Sequence, residues 1–175
     1  LDIRKQRISL ASILAGAVES SRSLILEGGH QLTIHLPEEL LELEADPIRL
    51  GQVFSNLLNN SAKSTKRGGH IWLRADREGS DAVISVRDNG IGIPPDMLPR
   101  IFEMFTQVDR SLERSQGGLG IGLTLARRLV DLHDGTIEAH SDGLDQGSEF
   151  VVRLPLLQPP LETPPTRDGP RAASL

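Results

Sequence analysis

The sequence predicts an α+β fold, a two-layer sandwich in which a mixed β-sheet is covered on one face by three helices. Three observations lead to this prediction. Segments in which polar and apolar residues alternate, as in strands, are interspersed with segments whose apolar residues recur at helical spacing. Asp46-Pro47 is a strong helix start, because Asp caps a helix and Pro fits its first turn. The last two alternating segments bracket a turn rich in Gly and Asp.

The first half of the chain predicts three strands and two helices. Gly28-Gly29 ends the first helix, and Gly68-Gly69 forms a turn after the second. In order, these elements are a strand over residues 4–9, a helix from a Ser9 or Ser12 cap to about Leu26, strands Gln31–Leu36 and Leu41–Ala45, and a helix from Pro47 to about Lys63.

The second half predicts a hairpin, a glycine-rich helix start and a final pair of strands. The hairpin turns at Glu78 to Asp81, and a loop with prolines follows it. In order, the elements are strands His70–Asp76 and Ala82–Arg87, a short helix near Leu98–Phe105, a polar stretch to Gly118, a helix from about Gly120 to His133, and strands Thr136–Ser141 and Ser148–Leu154.

Composition narrows the class of protein. The 175 residues suit one domain with short flanking segments, and the net charge of −5 without a basic stripe argues against nucleic-acid binding. The chain has no cysteine, which excludes disulfides and thiolate metal sites and fits the cytoplasmic location that we expect. No apolar run approaches the ~20 residues of a membrane span. We therefore expect no membrane contact by this segment, although a longer protein could be anchored upstream.

A polar stripe lies along the second predicted helix. At about 100° per residue, Asn56, Asn60 and Lys63 share a face. Asn is a poor helix former, so two of them four residues apart suggest a function for their amides. The neutral oxygen of Asn60 suits Mg²⁺, and Lys63, one turn on, can meet phosphate charge. Taken alone, the stripe fits a plain solvated face equally well.

Asp88 and two glycines follow a predicted strand. A carboxylate at a strand end can accept a hydrogen bond from an exocyclic amine, which favours adenine over guanine, because guanine has a carbonyl at that place. Gly90 and Gly92 would let the backbone approach the base without a Cβ contact. An Asp-Asn-Gly turn is the alternative. However, Ile91 and Ile93 favour burial, which argues against a solvated turn.

A glycine-rich segment from Gly117 to Leu123 opens the third helix. Free backbone N–H groups at a helix N-terminus bind phosphate, and glycines allow its close approach. The segment is neither a Walker loop nor a dinucleotide fingerprint. No Gly-Lys-Ser/Thr follows it, and Leu125 stands where the third fingerprint glycine would lie.

Together with Phe102 to Phe105, these segments resemble the N, G1, F and G2 boxes of the catalytic, ATP-binding domain of bacterial sensor histidine kinases, in the same order. The stretch from Asp88 to Leu123 is similar to hybrid kinases. The resemblance covers about Ile8 to Pro155 and implies the histidine-kinase/gyrase-type ATPase fold. It implies that ATP, with Mg²⁺ on Asn60, is bound by Asn56, Asn60, Lys63, Asp88, Gly90, Gly92, Ile93, Gly118, Leu119, Gly120, Gly122, Leu123 and Ser148.

Two positions depart from the family pattern, and one match is weaker. Ser64 stands where the family usually has a Tyr or Phe ring beside the adenine, which puts nucleotide affinity in question. Asp134 stands where Gly is common. Ser148 matches a hydroxyl that in related ATPases helps to hold the adenine-binding Asp through water.

The resemblance also implies a domain organisation. Residues 1–8 would be the end of the segment that follows the dimerisation hairpin, and residues 9–155 the ATP-binding catalytic domain. Residues 156–175 would be a disordered, proline-rich linker, since six of the residues from Pro155 to Leu175 are proline. A tether to a receiver domain is the functional interpretation of this linker, and a frayed C-terminus is the alternative.

The implied function is that of a histidine protein kinase in two-component signalling. The chain would bind ATP with Mg²⁺ and donate the γ-phosphate to a histidine on a separate dimerisation domain. That acceptor is expected elsewhere, because no histidine in this chain is followed by Glu-Leu-Arg. One alternative is a degenerate nucleotide-binding module that regulates a partner without kinase activity. Another is an ATPase of the same superfamily, like DNA gyrase, MutL or the heat-shock chaperones.

Three further predictions concern side chains around these boxes. The polar run from about Thr106 to Gly118, flanked by glycines, predicts a mobile lid. Phe102 and Phe105 are predicted to anchor it through core packing. The five histidines lack ligand spacing, so structural or solvent-facing roles are expected.

Overall fold

The structure is a computed structural model that describes residues 2–103 and 119–158. Over these ranges it contains seven strands, three α-helices and a 3₁₀ turn at Leu98–Arg100. In chain order they are β1 (Gln6–Ser9), α1 (Leu10–Glu27), β2 (Gln31–His35), β3 (Glu42–Ala45), α2 (Pro47–Ser64), β4 (His70–Glu78), β5 (Asp81–Asp88), α3 (Leu119–Leu132), β6 (Thr136–His140) and β7 (Ser148–Pro155).

Five of the strands form one mixed sheet in the order β2-β4-β5-β7-β6. Strand β2 runs parallel to β4, and the other neighbours are antiparallel. Strands β1 and β3 form a separate antiparallel pair. The prediction of a mixed sheet is confirmed, and the separation of β1 and β3 into a sheet of their own is an added feature.

The three helices form the second layer, in which α2 packs between α1 and α3. Helix α2 also contacts β4 and β5, and its apolar side chains, predicted to share a face, are fully buried: Leu50, Val53, Phe54, Leu57 and Leu58. Burial of this apolar area supplies the main favourable free energy of folding. The two-layer prediction is therefore confirmed. Among the residues that the structure describes, no helix is both long and apolar enough to cross a membrane.

Local signals set the helix ends as the sequence predicted. The hydroxyl of Ser9 accepts a hydrogen bond from the Ser12 backbone N–H at 3.2 Å and caps α1. The carboxylate of Asp46 accepts one from the Arg49 N–H at 3.2 Å and caps α2. After α1 the chain reverses at Gly29, whose φ of 64° lies in the left-handed region.

Two predicted elements end differently. The helix predicted near Leu98–Phe105 is only a 3₁₀ turn, as far as the described residues extend. Pro99 occupies the first positions of this turn, where its missing N–H is not needed, and 3₁₀ turns are common as short connecting pieces. Helix α3 ends at Leu132, and Asp134 then adopts a φ of 58°. That left-handed conformation explains why glycine suits this position.

Candidate nucleotide site

The C-terminal half of α2 contacts both of the other segments singled out in the sequence. The Asn56 side chain donates from Nδ2 to the backbone oxygen of Gly122, in the first turns of α3, at 3.5 Å. Further along α2, the backbone oxygen of Ser64 accepts from the Ile91 N–H at 2.9 Å. The fold thus brings the polar stripe, the loop after β5 and the start of α3 to one place.

Asp88 is the last residue of β5 and lies at the start of this loop. The antiparallel register of β5 and β7 puts Asp88 opposite Ser148, and the Asp88 side chain is only 3% exposed. Its Oδ1 accepts from the Gly90 N–H at 2.9 Å, and its Oδ2 accepts from the Ser148 hydroxyl at 3.1 Å. The predicted association of Ser148 with Asp88 is present, but the contact is direct rather than through water.

The Asp88 carboxyl carries a raised pKa. Burial is the main cause, because removal from water disfavours the charged form. Hydrogen bonds from Gly90, from the Ser61 hydroxyl and from Ser148 lower the pKa in part but do not cancel the effect of burial. A further donor near this carboxylate would stabilise the charged form.

The packing of the protein itself requires the two glycines of the loop. A Cβ on Gly90 would lie 2.3 Å from the backbone oxygen of Ser64. A Cβ on Gly92 would lie 2.0 Å from the backbone oxygen of Gly143, and Gly92 has a φ of 70°. That these glycines also let the backbone approach a base stays a prediction, because these contacts lie only in the direction of the missing Cβ atoms.

The turn between β6 and β7 holds this loop, and sequence reasoning missed its role. Ser141 Oγ accepts from the Ile93 N–H at 3.0 Å and donates to the Gly147 oxygen at 2.7 Å. The Asp145 N–H donates to the Ile91 oxygen at 2.8 Å. A serine two residues before the first glycine of a Gly/Asp-rich turn is the signal that could have indicated this contact.

Asn60 meets the requirement for a metal ligand on this helix. Its side chain is 9% exposed, and its amide oxygen Oδ1 has no hydrogen-bond partner among the residues that the structure describes. Within the same residues no group of three or more His, Cys, Asp or Glu side chains could hold a metal. An amide oxygen that leaves most positions to phosphate and water fits Mg²⁺. Lys63, the next residue of the stripe, is exposed.

The remaining predicted contact residues fall into three groups. Leu119 and Gly120 begin α3. The side chains of Leu123 and Ile93 are 1% and 8% exposed and pack in the apolar core. Gly118, Phe105 and the lid predicted from about Thr106 to Gly118 all lie outside the described residues.

Phe102 packs against the core as predicted. Its ring meets Phe150 edge-on, with centroids 6.1 Å apart, and the Arg127 guanidinium lies 5.9 Å from the Phe102 centroid. The Thr124 hydroxyl donates to the Phe102 backbone oxygen at 3.2 Å. These contacts fasten the segment before the predicted lid to helix α3.

The histidines are structural or solvent-facing, as expected. His30 and His133 are buried, and His133 accepts from the Asp46 N–H at 3.0 Å through Nε2. The other three lie on the sheet or its edge with exposed or half-buried rings: His35, His70 and His140.

The match to known proteins agrees with this geometry. Residues 45–158 match the family model described as histidine kinase-, DNA gyrase B-, and HSP90-like ATPase. The chain belongs to this ATPase family. Two similar relatives specify the branch, and both are histidine kinases. Within the family, the chain is a histidine-kinase catalytic domain of the kind found in hybrid sensor kinases.

The relatives are much longer than this ATPase domain. The circadian input-output histidine kinase CikA of Synechococcus elongatus is 42% identical over 140 residues, which are 79% of this chain and 18% of CikA. Hybrid signal transduction histidine kinase D of Dictyostelium discoideum is 37% identical over 143 residues, 68% of this chain and 9% of that kinase. The chain thus spans less than a fifth of either relative.

A solved structure confirms the fold of the domain. Full-length ShkA in complex with AMPPNP matches with a TM-score of 0.76 and 28% identity. The match covers 91% of this chain and 32% of ShkA. The catalytic domain of histidine kinase ThkA has the same α+β sandwich, with a TM-score of 0.73.

Proposed function

We propose that this domain binds ATP with Mg²⁺ and donates the γ-phosphoryl group to a histidine on a separate dimerisation domain in two-component signalling. One observation carries the proposal. On helix α2, the buried amide oxygen of Asn60 has no hydrogen-bond partner among the described residues, and in sequence Asn60 lies between Asn56, which contacts the start of α3, and Ser61, which lies at Asp88. The similarity to ShkA, whose structure contains AMPPNP, supports the nucleotide.

Asp88 is the proposed adenine-selecting group. Its buried carboxylate can accept a hydrogen bond from the exocyclic amine of adenine, and that donor would offset part of the cost of burying the charge. Guanine presents a carbonyl oxygen there, which a carboxylate repels. The hydrogen bonds from Gly90 and Ser148 fix the carboxylate for this contact.

The polar stripe and α3 are the proposed phosphate side of the site. Asn60 would hold Mg²⁺ through Oδ1, and Lys63 would approach the phosphates. When bound, Mg²⁺ neutralises charge on the transferring phosphoryl group. The N–H groups at the start of α3, from Leu119 to Gly122, would bind phosphate oxygens, together with Gly118. These residues bind and orient, which is most of what phosphoryl transfer requires of a protein.

The proposed partners follow from the missing acceptor. None of the five histidines lies in the acceptor motif, so the phosphorylated histidine would belong to the dimerisation domain of the same full-length protein. A receiver domain, fused after residues 156–175 or separate, would take the phosphoryl group next. We place this reaction in the cytoplasm, where ATP is available.

Labelled ATP tests the transfer directly. Alone, the chain should stay unlabelled, and a separately added dimerisation hairpin should gain acid-labile label at a rate that rises with hairpin concentration, because transfer needs the acceptor held close. Asp88→Asn serves as the control, which should reduce this label at ATP concentrations below saturation. Acid-labile label on the chain itself would contradict the proposal. A docked hairpin that stays unlabelled despite ATP binding would instead indicate the regulatory module that the Ser64 departure permits.

A further inference from the structure

The face of the main sheet that the helices leave uncovered carries a cavity behind the candidate nucleotide site. The register of β5 and β7 pairs Arg87 with Glu149 and, one residue further, Asp88 with Ser148. Side chains alternate between the faces of a strand, so Asp88 and Ser148 are buried on the helix side and Arg87 and Glu149 lie on the open side. A cavity of about 350 Å³ lies at this open pair and at Trp72. Small-molecule sites have volumes of about 300–1,000 Å³.

Arg87 and Glu149 carry opposite charges on neighbouring strands without forming an ion pair. Side chains directly opposite each other in an antiparallel pair lie close enough for one. Nevertheless, neither residue takes part in an ion pair within the part of the chain that the structure describes. Arg74 and Asp76, on the same face, do pair, at 2.6 Å. Arg87 and Glu149 therefore keep their charges available to a ligand in the cavity.

The Arg87 guanidinium lies over the Trp72 ring instead, 4.3 Å from its centroid. Trp72 is itself held, because the His70 ring stacks on it with centroids 4.0 Å apart and is hydrogen-bonded to the Thr33 hydroxyl at 2.7 Å. A stacked guanidinium still presents its N–H edge, which matches a carboxylate through two parallel hydrogen bonds. Arg87 is thus fixed in place to receive an anionic group.

The rest of the lining combines a further donor with two carboxylates. The Asn89 amide oxygen accepts from the His70 N–H at 2.8 Å, which turns the amide NH₂ group, a donor, to other partners. Glu149 and Asp142 supply the carboxylates, which suit an ammonium group. These carboxylates repel a ligand that is only anionic, and the guanidinium of Arg87 repels one that is only cationic.

We propose that this cavity binds a small zwitterion of the amino-acid type. Its carboxylate accepts hydrogen bonds from Arg87, and its ammonium group donates to Glu149. The ligand would lie against the same two strands that hold Asp88 and Ser148, on their opposite face. The inference does not depend on the proposed function, because none of the groups that would hold the zwitterion is assigned to the nucleotide.

Nuclear magnetic resonance of the intact ¹⁵N-labelled chain tests the proposal. The chain has a single tryptophan, so its indole N–H signal reports on this cavity alone. An unlabelled mixture of the common amino acids should shift this signal saturably. Propionate and ethylamine, which carry one charge each, should bind at least about tenfold more weakly, because each lacks one charged hydrogen-bonding group.

Three variants locate the two charges of the ligand. Arg87→Gln and Glu149→Gln should each weaken binding of the mixture by about tenfold or more. Arg74→Gln removes an exposed charge from the same face, outside the cavity lining, and should bind like the wild type.

Three results would overturn the inference. The first is an indole signal that the mixture does not shift at millimolar concentrations. The second is propionate binding as tight as that of the mixture and unchanged in Glu149→Gln, which would indicate a plain anion site. The third is wild-type affinity for the mixture in both Arg87→Gln and Glu149→Gln, which would place the ligand elsewhere. None of these results bears on ATP binding, so the proposed function would stand.

Discussion

Two buried aspartates at opposite ends of α2 differ in how their charge is stabilised. Asp46, 8% exposed, accepts hydrogen bonds from the backbone N–H groups of Arg4 at 2.8 Å and Arg49 at 3.2 Å. These hydrogen bonds hold the pKa of Asp46 below its ordinary value, and the bond from Arg4 has the largest effect. Asp88, 3% exposed, also receives hydrogen bonds, but burial outweighs them and raises its pKa.

The difference separates a structural carboxylate, Asp46, from the proposed binding carboxylate, Asp88. The charge of Asp46 is satisfied by the protein's own backbone, and its bonds join the N-terminal segment to the start of α2. The charge of Asp88 is only partly compensated, so it gains from a donor that a ligand brings. Changes at Asp46 should therefore act on stability, and changes at Asp88 on nucleotide binding.

The largest effect is expected for Asp88→Asn. An amide in place of the carboxylate either points its own donor at the adenine amine or accepts from it through an uncharged oxygen. Either case should cost about 1–3 kcal/mol of ATP binding and reduce the preference for ATP over GTP. The free energy of unfolding should not fall, because a poorly compensated charge is removed. Competition binding and urea denaturation measure the two quantities. If wild-type protein binds GTP as tightly as ATP, the selecting role is wrong.

Asp46→Ala should give the reverse pattern. Loss of a helix cap costs about 1–2 kcal/mol of stability, and the release of the Arg4 segment adds to it. ATP affinity of the folded protein should stay at the wild-type value, since Asp46 caps the other end of α2. Urea denaturation with calorimetry of the native protein checks this. A fall in ATP affinity as large as that of Asp88→Asn would remove the distinction between the two aspartates.

The two carboxyls should also respond to pH with opposite sign. Asp46 has a lowered folded pKa, so its stabilising contribution is present above the unfolded pKa and is lost as pH falls through the folded pKa. Asp88 has a raised folded pKa, so its contribution is present below the unfolded pKa and is lost as pH rises through the folded pKa.

Unfolding experiments across the acidic pH range in which aspartates titrate test the opposite pH dependences of the two stabilising contributions. Relative to Asp88→Asn, the wild type should lose stability as pH rises, and relative to Asp46→Asn it should gain stability. ATP affinity should decline on acidification toward the raised pKa of Asp88, because a protonated carboxyl accepts more weakly. Parallel pH curves for the wild type and Asp88→Asn would show that burial does not perturb this group.

The smallest effect is expected for a third, exposed aspartate. Asp134 has a φ of 58°, which glycine adopts at lower cost, and its contact with Lys5 at 3.5 Å is exposed and weak. Asp134→Gly should raise the unfolding free energy by about 0.5–1 kcal/mol and leave ATP affinity unchanged. Thermal unfolding and calorimetry measure these values. Destabilisation by this change would mean that the Lys5 contact outweighs the backbone strain.

Most of the fold could be predicted because its signals are local. Ser9 and Asp46 cap helices within three residues of themselves, and apolar spacing defines the buried face of α2. The 3₁₀ turn at Leu98–Arg100 was missed because an apolar pattern over a few residues does not distinguish a single turn from a helix. Separation of β1 and β3 from the main sheet depends on tertiary packing, which periodicity alone does not encode.

The site was predicted residue by residue, but its internal contacts were not. Asp88 meets Ser148 through the register of two strands whose paired residues lie 60 positions apart in sequence. The need for Gly90 and Gly92 comes from backbone of distant segments. Ser141 carries no motif of its own, so only the three-dimensional structure reveals what its hydroxyl contacts.

Calorimetry of Asn60→Ala, with and without Mg²⁺, tests most directly whether the polar face of α2 binds ATP with its metal. Asn59→Ala is the matched control, because Asn59 also has an unpaired buried oxygen but lies about 100° around the helix from Asn60. Asn60→Ala should weaken binding of ATP with Mg²⁺ far more than binding of metal-free ATP, and Asn59→Ala should not distinguish the two. Equal affinities of wild type and Asn60→Ala for ATP with Mg²⁺ would contradict the site.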